Sequence, residues 1–152
     1  MKTAPVALVT GSGKRRVGSH VAEALAARGY SVAVHYRSSA AEAAELVESF
    51  HRQGVVAIAV QADLGDERSV RGLIDQTLER FGRLDVLVNC AAVWGRKKLE
   101  DVTAKDVQEQ FSANTLGTFL CSQHAGLAMV KQPEGGCIVM LGDWAVARPY
   151  LD

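Results

Sequence analysis

"ALVTGSGKRRVG", residues 7 to 18, is the stretch on which the reading of this chain turns. A short apolar run ends in a segment of glycine and cations, the composition of a loop that wraps phosphate. The triphosphatase loop requires glycine, four residues, then Gly-Lys followed by serine or threonine to reach magnesium. Leu8 stands five positions before Gly13, and Lys14 is followed by Arg15, so both ends of that motif fail. A dinucleotide loop asks for less. Gly11 lets the chain turn off a strand, and Gly18 lets the next helix approach the sheet. The helix N-terminus then offers N–H groups and a favourable dipole to a pyrophosphate. Gly11, Gly13 and Gly18 do not make G-x-G-x-x-G, because four residues separate the last two. A plain strand-to-helix turn is the competing reading.

Outward from this loop, apolar runs and helical stripes alternate along the chain. Residues 6–9, 30–36, 55–61, 84–89 and 137–141 read as short buried strands. Between them, Val21, Ala24 and Leu25 recur at helical spacing. So do Ala43, Leu46, Val47 and Phe50, and then Val70, Leu73, Ile74, Thr77, Leu78 and Phe81. Gly29, Gly54 and Gly82 close these helices, and Asp66 caps the third. Thr103 with Asp106 predicts a capping box that opens a long helix ending near Lys131. Strands that are apolar throughout need cover on both faces, and helices between them impose right-handed crossovers. The expectation is an α/β domain with a doubly wound parallel sheet of the Rossmann type. It forms a single unit over residues 1–152, ending after its fifth strand.

Composition excludes other classes. Seventeen basic and 17 acidic side chains leave a formal net charge of zero. No field of one sign therefore gathers nucleic acid or an anionic membrane. The cluster Lys14-Arg15-Arg16 is too short for a nucleic-acid arm. No segment reaches the roughly 18 apolar residues of a membrane span, and Met1 to Leu8 lacks the features of a signal peptide. Cys90, Cys121 and Cys137 are odd in number and widely spaced, which suits reduced thiols in a cytoplasm. None pairs with His20, His35, His51 or His124 at metal-ligand spacing, so no metal is expected.

The end of the second strand reports on the nucleotide. An NAD site places a carboxylate there for the ribose hydroxyls. Here the sequence reads "HYRSS" (35–39), with Arg37, Ser38 and Ser39 in place of any acid, and Lys14 and Arg15 positioned to lie across from them. Arginine and hydroxyls match a 2′-phosphate, which an acidic residue would repel. The set favours NADP over NAD.

Taken in order, "TGSGKRRVG", "QADL", "LVNCAA", "SANTLGT" and "GGCIVMLGDWA" resemble the short-chain dehydrogenase/reductases from Pro5 to Asp152. The nearest branch is that of the pteridine reductases, through "KRRVG", "HYRSSAAEA", "QADL" and the aspartate of "MLGDWA". The resemblance implies an NADPH-dependent oxidoreductase that moves hydride to a small carbonyl or a pterin-like C=N acceptor. It places Gly11, Ser12 and Gly18 at the pyrophosphate, with Lys14, Arg15, Arg16 and Val17 alongside. Tyr36 joins Arg37, Ser38 and Ser39, while Asp63 and Leu64 bracket the adenine. Asn89 and Ala91 fall in the family's Asn-Asn-Ala-Gly stretch over the cofactor, from which Cys90 and Ala92 depart.

For the reaction, the resemblance implies that Asn114 holds a water of a proton relay; on its residues alone it equally satisfies the core. Asp143 stands where most members carry serine and would support proton delivery, or it is a loop carboxylate. Trp94 matches an aromatic that stacks the flat substrate, or it packs locally, and Arg16 also faces the substrate. The family's Tyr-x-x-x-Lys does not occur in these 152 residues. The spacing of "DWAVARPYLD" expects it just beyond Asp152, so the chain alone is expected to be inactive. The rival reading is a dinucleotide-binding or interaction module without catalysis. A small-molecule substrate is implied as partner, with a homo-oligomer if the full-length protein is made.

Overall fold

The computed structural model describes residues 4–144 and 147–148. Its elements alternate as β1 (Val6–Val9), α1 (Val17–Ala26), β2 (Ser31–Tyr36), α2 (Ala40–Arg52), β3 (Ala57–Gln61) and α3 (Glu67–Phe81). β4 (Val86–Asn89), α4 (Ala104–Gln110), α5 (Gly117–Met129) and β5 (Cys137–Met140) follow. The five strands form one parallel sheet in the order β3-β2-β1-β4-β5. The order reverses between β1 and β4, which opens a crevice at the carboxyl ends of those strands. This is the doubly wound parallel sheet expected from the unbroken apolar strands.

The core lies on both faces of the sheet. Val9, Val32, Val34 and Val88 pack with Ala22 of α1 and Ala43 and Phe50 of α2. Val6, Leu8, Val60 and Leu87 pack with Val70, Leu73 and Ile74 of α3 and with Leu120 and Ala125 of α5. Neighbouring residues of one strand divide between the two faces, as the twofold period of a strand demands. Asp66 caps α3 by accepting the Arg68 N–H at 3.1 Å, and Gly82 ends it at φ 74°.

Several boundaries differ from the sequence reading by one or two residues, and the long helix differs most. The Val55 N–H goes to Phe50 O at the end of α2, so β3 begins two residues later. The Leu84 N–H donates to Gln132 Oε1 at 2.8 Å and its carbonyl accepts from Gln132 Nε2 at 2.9 Å, so β4 begins after it. The long helix is interrupted. Thr103 and Asp106 form the expected capping box, but a π-helical turn over Phe111–Leu116 separates α4 from α5. Such turns insert an extra residue into a helix and re-aim its side chains; Asn114 sits inside this one. No described helix is long and apolar enough to cross a membrane.

Candidate functional site

The glycine loop is held by polar groups of the strands beside it. Gly11 turns off β1 at φ 65°, and a Cβ there would stand 2.7 Å from Ala91 Cα. A Cβ on Gly18 would stand 2.7 Å from Gly11 O, so α1 meets the turn at backbone distance. Gly13 is equally confined, with Tyr36 Cβ 2.5 Å from the position of its missing Cβ. The side chain of Thr10 accepts the N–H groups of Cys90 and Ala91, both at 3.0 Å, and so fastens the exit of β4 to the turn. At the start of α1, Ser19 Oγ accepts the Arg16 N–H at 3.1 Å and donates to Arg16 O at 2.8 Å.

Around this loop lies an open cleft of about 710 Å³ at the carboxyl ends of β1 to β4. That volume lies within the usual range for cofactor sites. Gly11, Gly13, Lys14, Arg16, Val17 and Gly18 form one wall, and Tyr36 to Ser39 form the next. Asp63 and Leu64 line the end beyond β3, while Ala91 and Trp94 line the side after β4. Asp63 Oδ1 accepts the Gly65 N–H at 3.0 Å, which fixes the carboxylate beside the cleft. Trp94 is 72% exposed and borders a second, adjoining cleft lined by Lys105, Glu109 and Ser112. The basic groups expected across from one another, Lys14 and Arg37, do share the cleft.

Other expected residues stand elsewhere. Ser12 is fully buried: its Oγ donates to Val9 O at 2.7 Å and its N–H to His35 O at 3.1 Å. Both its polar groups are turned into the protein, so Ser12 shapes the loop rather than facing the cleft. Arg15 is exposed and outside the lining, in the turn that precedes α1. Asn89 is buried at the end of β4, where its Nδ2 donates to Ser122 Oγ at 3.1 Å, also outside the lining. Asn114 clips the loop after β4. Its Oδ1 accepts the Val93 N–H at 2.8 Å, and its Nδ2 donates to Val93 O and Gln110 Oε1, both at 2.9 Å. Its own carbonyl accepts from Thr118 Oγ1 at 2.9 Å. Asp143 is exposed beyond β5 and does not line the cleft.

Sequence reading missed residues of this wall and of the frame behind it. Gly13 was seen as a glycine without an assigned task, and Thr10 as a strand end. His35 is 3% exposed and lines the cleft from the carboxyl end of an otherwise apolar strand. The signal was present: a polar side chain interrupting "SVAVHY" needs buried partners. Of the thiols, Cys90 lines the cleft half-buried, with its pKa raised by desolvation, and burial pushes Cys121 up to about 12. Among the described residues no three His, Cys, Asp or Glu side chains group closely enough to hold a metal ion.

A doubly wound sheet with a glycine-walled, cation-rimmed cleft at its switch point defines a dinucleotide-fold protein. The family model for short chain dehydrogenase matches residues 5–147, and the chain belongs to that family. It is 42% identical over 134 residues to an uncharacterized oxidoreductase of Methylorubrum extorquens, covering 88% of this chain and 52% of that protein. It is 40% identical over 135 residues to the hydroxynaphthalene reductase of Aspergillus fumigatus, covering 89% of this chain and 48% of that enzyme. Among solved structures, a short chain dehydrogenase from Burkholderia cenocepacia in complex with NADP superposes with a TM-score of 0.90 at 36% identity. That match covers 97% of this chain and 59% of the other. The chain thus spans about half the length of the curated relatives it matches. No comparison singles out the pteridine-reductase branch.

Proposed function

We propose that this chain supplies the cofactor half of an NADPH-dependent reductase acting on a small carbonyl or a pterin-like C=N acceptor. The observation that carries the reading is the meeting of Lys14 and Arg37 with Ser38 and Ser39 on one rim of the cleft. Cations and hydroxyls in that arrangement suit a phosphate monoester, and no acid takes the place after β2 where a ribose diol is read. The donor set and the volume fit NADPH. When bound, that group supplies the hydride; the chain's part is to hold, orient and exclude.

In this reading the turn at Gly11 and the start of α1 at Val17 and Gly18 lie against the pyrophosphate. Lys14, Arg37, Ser38 and Ser39 hold the 2′-phosphate with Tyr36 beside them, and Asp63 and Leu64 bracket the adenine. Ala91 closes over the cofactor. Arg16 and Trp94 face the substrate, Trp94 as a stacking surface. Asn114 keeps the loop after β4 in place and serves the proton relay, and Asp143 supports proton delivery. The relatives named as reductases, and the neighbour solved in complex with NADP, support the class.

The test is a titration with NADPH and NADH, followed by cofactor fluorescence. NADPH is expected to bind at least about tenfold more tightly, the scale of one charge-assisted hydrogen bond. Arg37→Asp is expected to reverse the preference. An unchanged ratio in that variant refutes the assignment of the 2′-phosphate; no binding of either nucleotide refutes the reading as a whole.

A further inference from the structure

One residue holds three successive amides of the phosphate loop. The Gly11 N–H donates to His35 Nδ1 at 2.9 Å, and the N–H groups of Ser12 and Gly13 both donate to the His35 carbonyl at 3.1 Å. On the far side of the ring, Nε2 lies 3.1 Å from Ala62 O, in the segment that leads from β3 to Asp63 and Leu64. His35 therefore stands between the loop on one side of the cleft and the end of β3 on the other. We propose that His35 is a positioning residue for the nucleotide: a neutral imidazole that clamps the phosphate loop to the adenine wall and sets their separation. The proposal rests on the dinucleotide reading above and extends it to a residue that makes no part of the expected ligand shell.

The geometry dictates the proton's position. An amide N–H at Nδ1 requires a lone pair there, and a carbonyl at Nε2 requires a hydrogen there. Only the neutral Nε2–H tautomer satisfies both. A second proton on Nδ1 would face the Gly11 N–H, donor against donor, and would place a charge in a site 3% exposed. Burial accordingly pushes the His35 pKa down, with the Ala62 carbonyl and the Asp63 carboxylate pulling it up. Among the described residues, the other ionisable groups lining the same cleft are Lys14 and Arg16 from the loop, Tyr36 at the end of β2, Arg37 after it, and Cys90 after β4. The cations among them oppose a further positive charge; Asp63 alone favours it.

The clamp has a consequence for binding. With the amides of residues 11 to 13 committed to His35, the loop's shape is independent of the ligand, and the start of α1 is left to meet phosphate. A preformed loop avoids an ordering cost on binding. Loosening it weakens affinity without removing any group that touches the nucleotide.

The experiment compares the wild type with His35→Asn and His35→Gln, using acid-stable NADP⁺ as ligand, from pH 5.5 to 8. Asparagine Oδ1 sits where Nδ1 does, so His35→Asn keeps an acceptor for Gly11 that does not titrate. Glutamine instead reaches Ala62 and abandons Gly11. Wild-type affinity is expected to fall with acid more steeply than that of His35→Asn. The comparison cancels the titration of the ligand's own 2′-phosphate. At pH 8, His35→Asn is expected to bind within about threefold of wild type and His35→Gln about tenfold more weakly, the worth of one hydrogen bond. Should either variant fail to fold, ring ¹⁵N shifts of the wild type decide the matter by themselves. The Nε2–H tautomer, titrating below the ordinary histidine range, is expected; an Nδ1–H tautomer or ordinary titration overturns the proposal. Parallel pH curves for wild type and His35→Asn, with His35→Gln binding as tightly, also overturn it while leaving the dinucleotide reading intact. A folded wild type that binds no NADP⁺ at any pH removes both.

Discussion

Replacing Gly11 by alanine tests the crowding at the head of the cleft. Gly11 has φ 65°, and a Cβ added there would meet Ala91 Cα at 2.7 Å and Ala91 N at 3.0 Å. Two costs follow. Left-handed backbone costs an L-residue about 1–2 kcal/mol, of which the lower entropy of the unfolded alanine chain offsets about 0.4–1 kcal/mol. The second cost is steric. The obstacle is main chain, held by Thr10 through the Cys90 and Ala91 amides, so it has no rotamer by which to escape. Forced overpacking of this kind costs about 1–3 kcal/mol. Gly82 is the internal control, with φ 74° and nothing within 4 Å of its added Cβ. Gly82→Ala should therefore lose about 1 kcal/mol and Gly11→Ala about 2–4 kcal/mol. Urea unfolding followed by far-ultraviolet circular dichroism measures both, provided the two variants share a slope with the wild type. NADP⁺ titration adds an independent readout, since a shift of Ala91 disturbs the cleft wall, whereas Gly82 closes α3 and lines no part of it. Equal destabilisation of the two variants would refute the argument that Ala91 crowds the turn.

Three further outcomes are expected. Gln132→Ala removes both partners of the buried Leu84 backbone and the donor to Gly135 O, and should cost about 2–3 kcal/mol in urea unfolding; a loss below about 0.5 kcal/mol would mean water replaces the amide without penalty. Asn114→Ala leaves the Val93 N–H without its acceptor and should raise hydrogen exchange at that amide about tenfold or more; unaltered exchange would show that the loop after β4 is held by other contacts. Native thiol titration with a disulfide reagent should find the exposed Cys137 first and Cys90 more slowly, because desolvation keeps its pKa above the ordinary value. Cys121, pushed up to about 12, should stay unreactive through pH 9 and react only on unfolding. Early modification of Cys121 would contradict its burial between α5 and the sheet.

Much of the fold was legible because it rests on short-range regularities. Apolar runs such as "VALV" need no knowledge of their neighbours to be read as buried strands, and Asp66, Gly82 and the Thr103–Asp106 pair act within one helical turn. The same locality made the glycine loop visible, together with the basic stretch after β2. What failed depended on hydrogen bonds made outside the sheet ladder. The starts of β3 and β4 moved because Val55 and Leu84 hydrogen-bond outside the ladder, Leu84 to a side chain 48 residues on.

The sequence by itself determined that alternating β and α segments wind into a parallel sheet, and that glycine and positive charge gather after β1 and β2. Hydrophobic period and turn chemistry carry that information locally. Only the tertiary structure decided which of those residues face the cleft. Ser12 is turned inward to Val9, Arg15 is carried outward, and Asn114 is drawn to Val93 by a π-helical turn. Tertiary structure also set His35 between the loop and the end of β3. A side chain's direction follows from the hydrogen bonds that buried polar groups must find, and those partners come from strands that meet only when the sheet assembles.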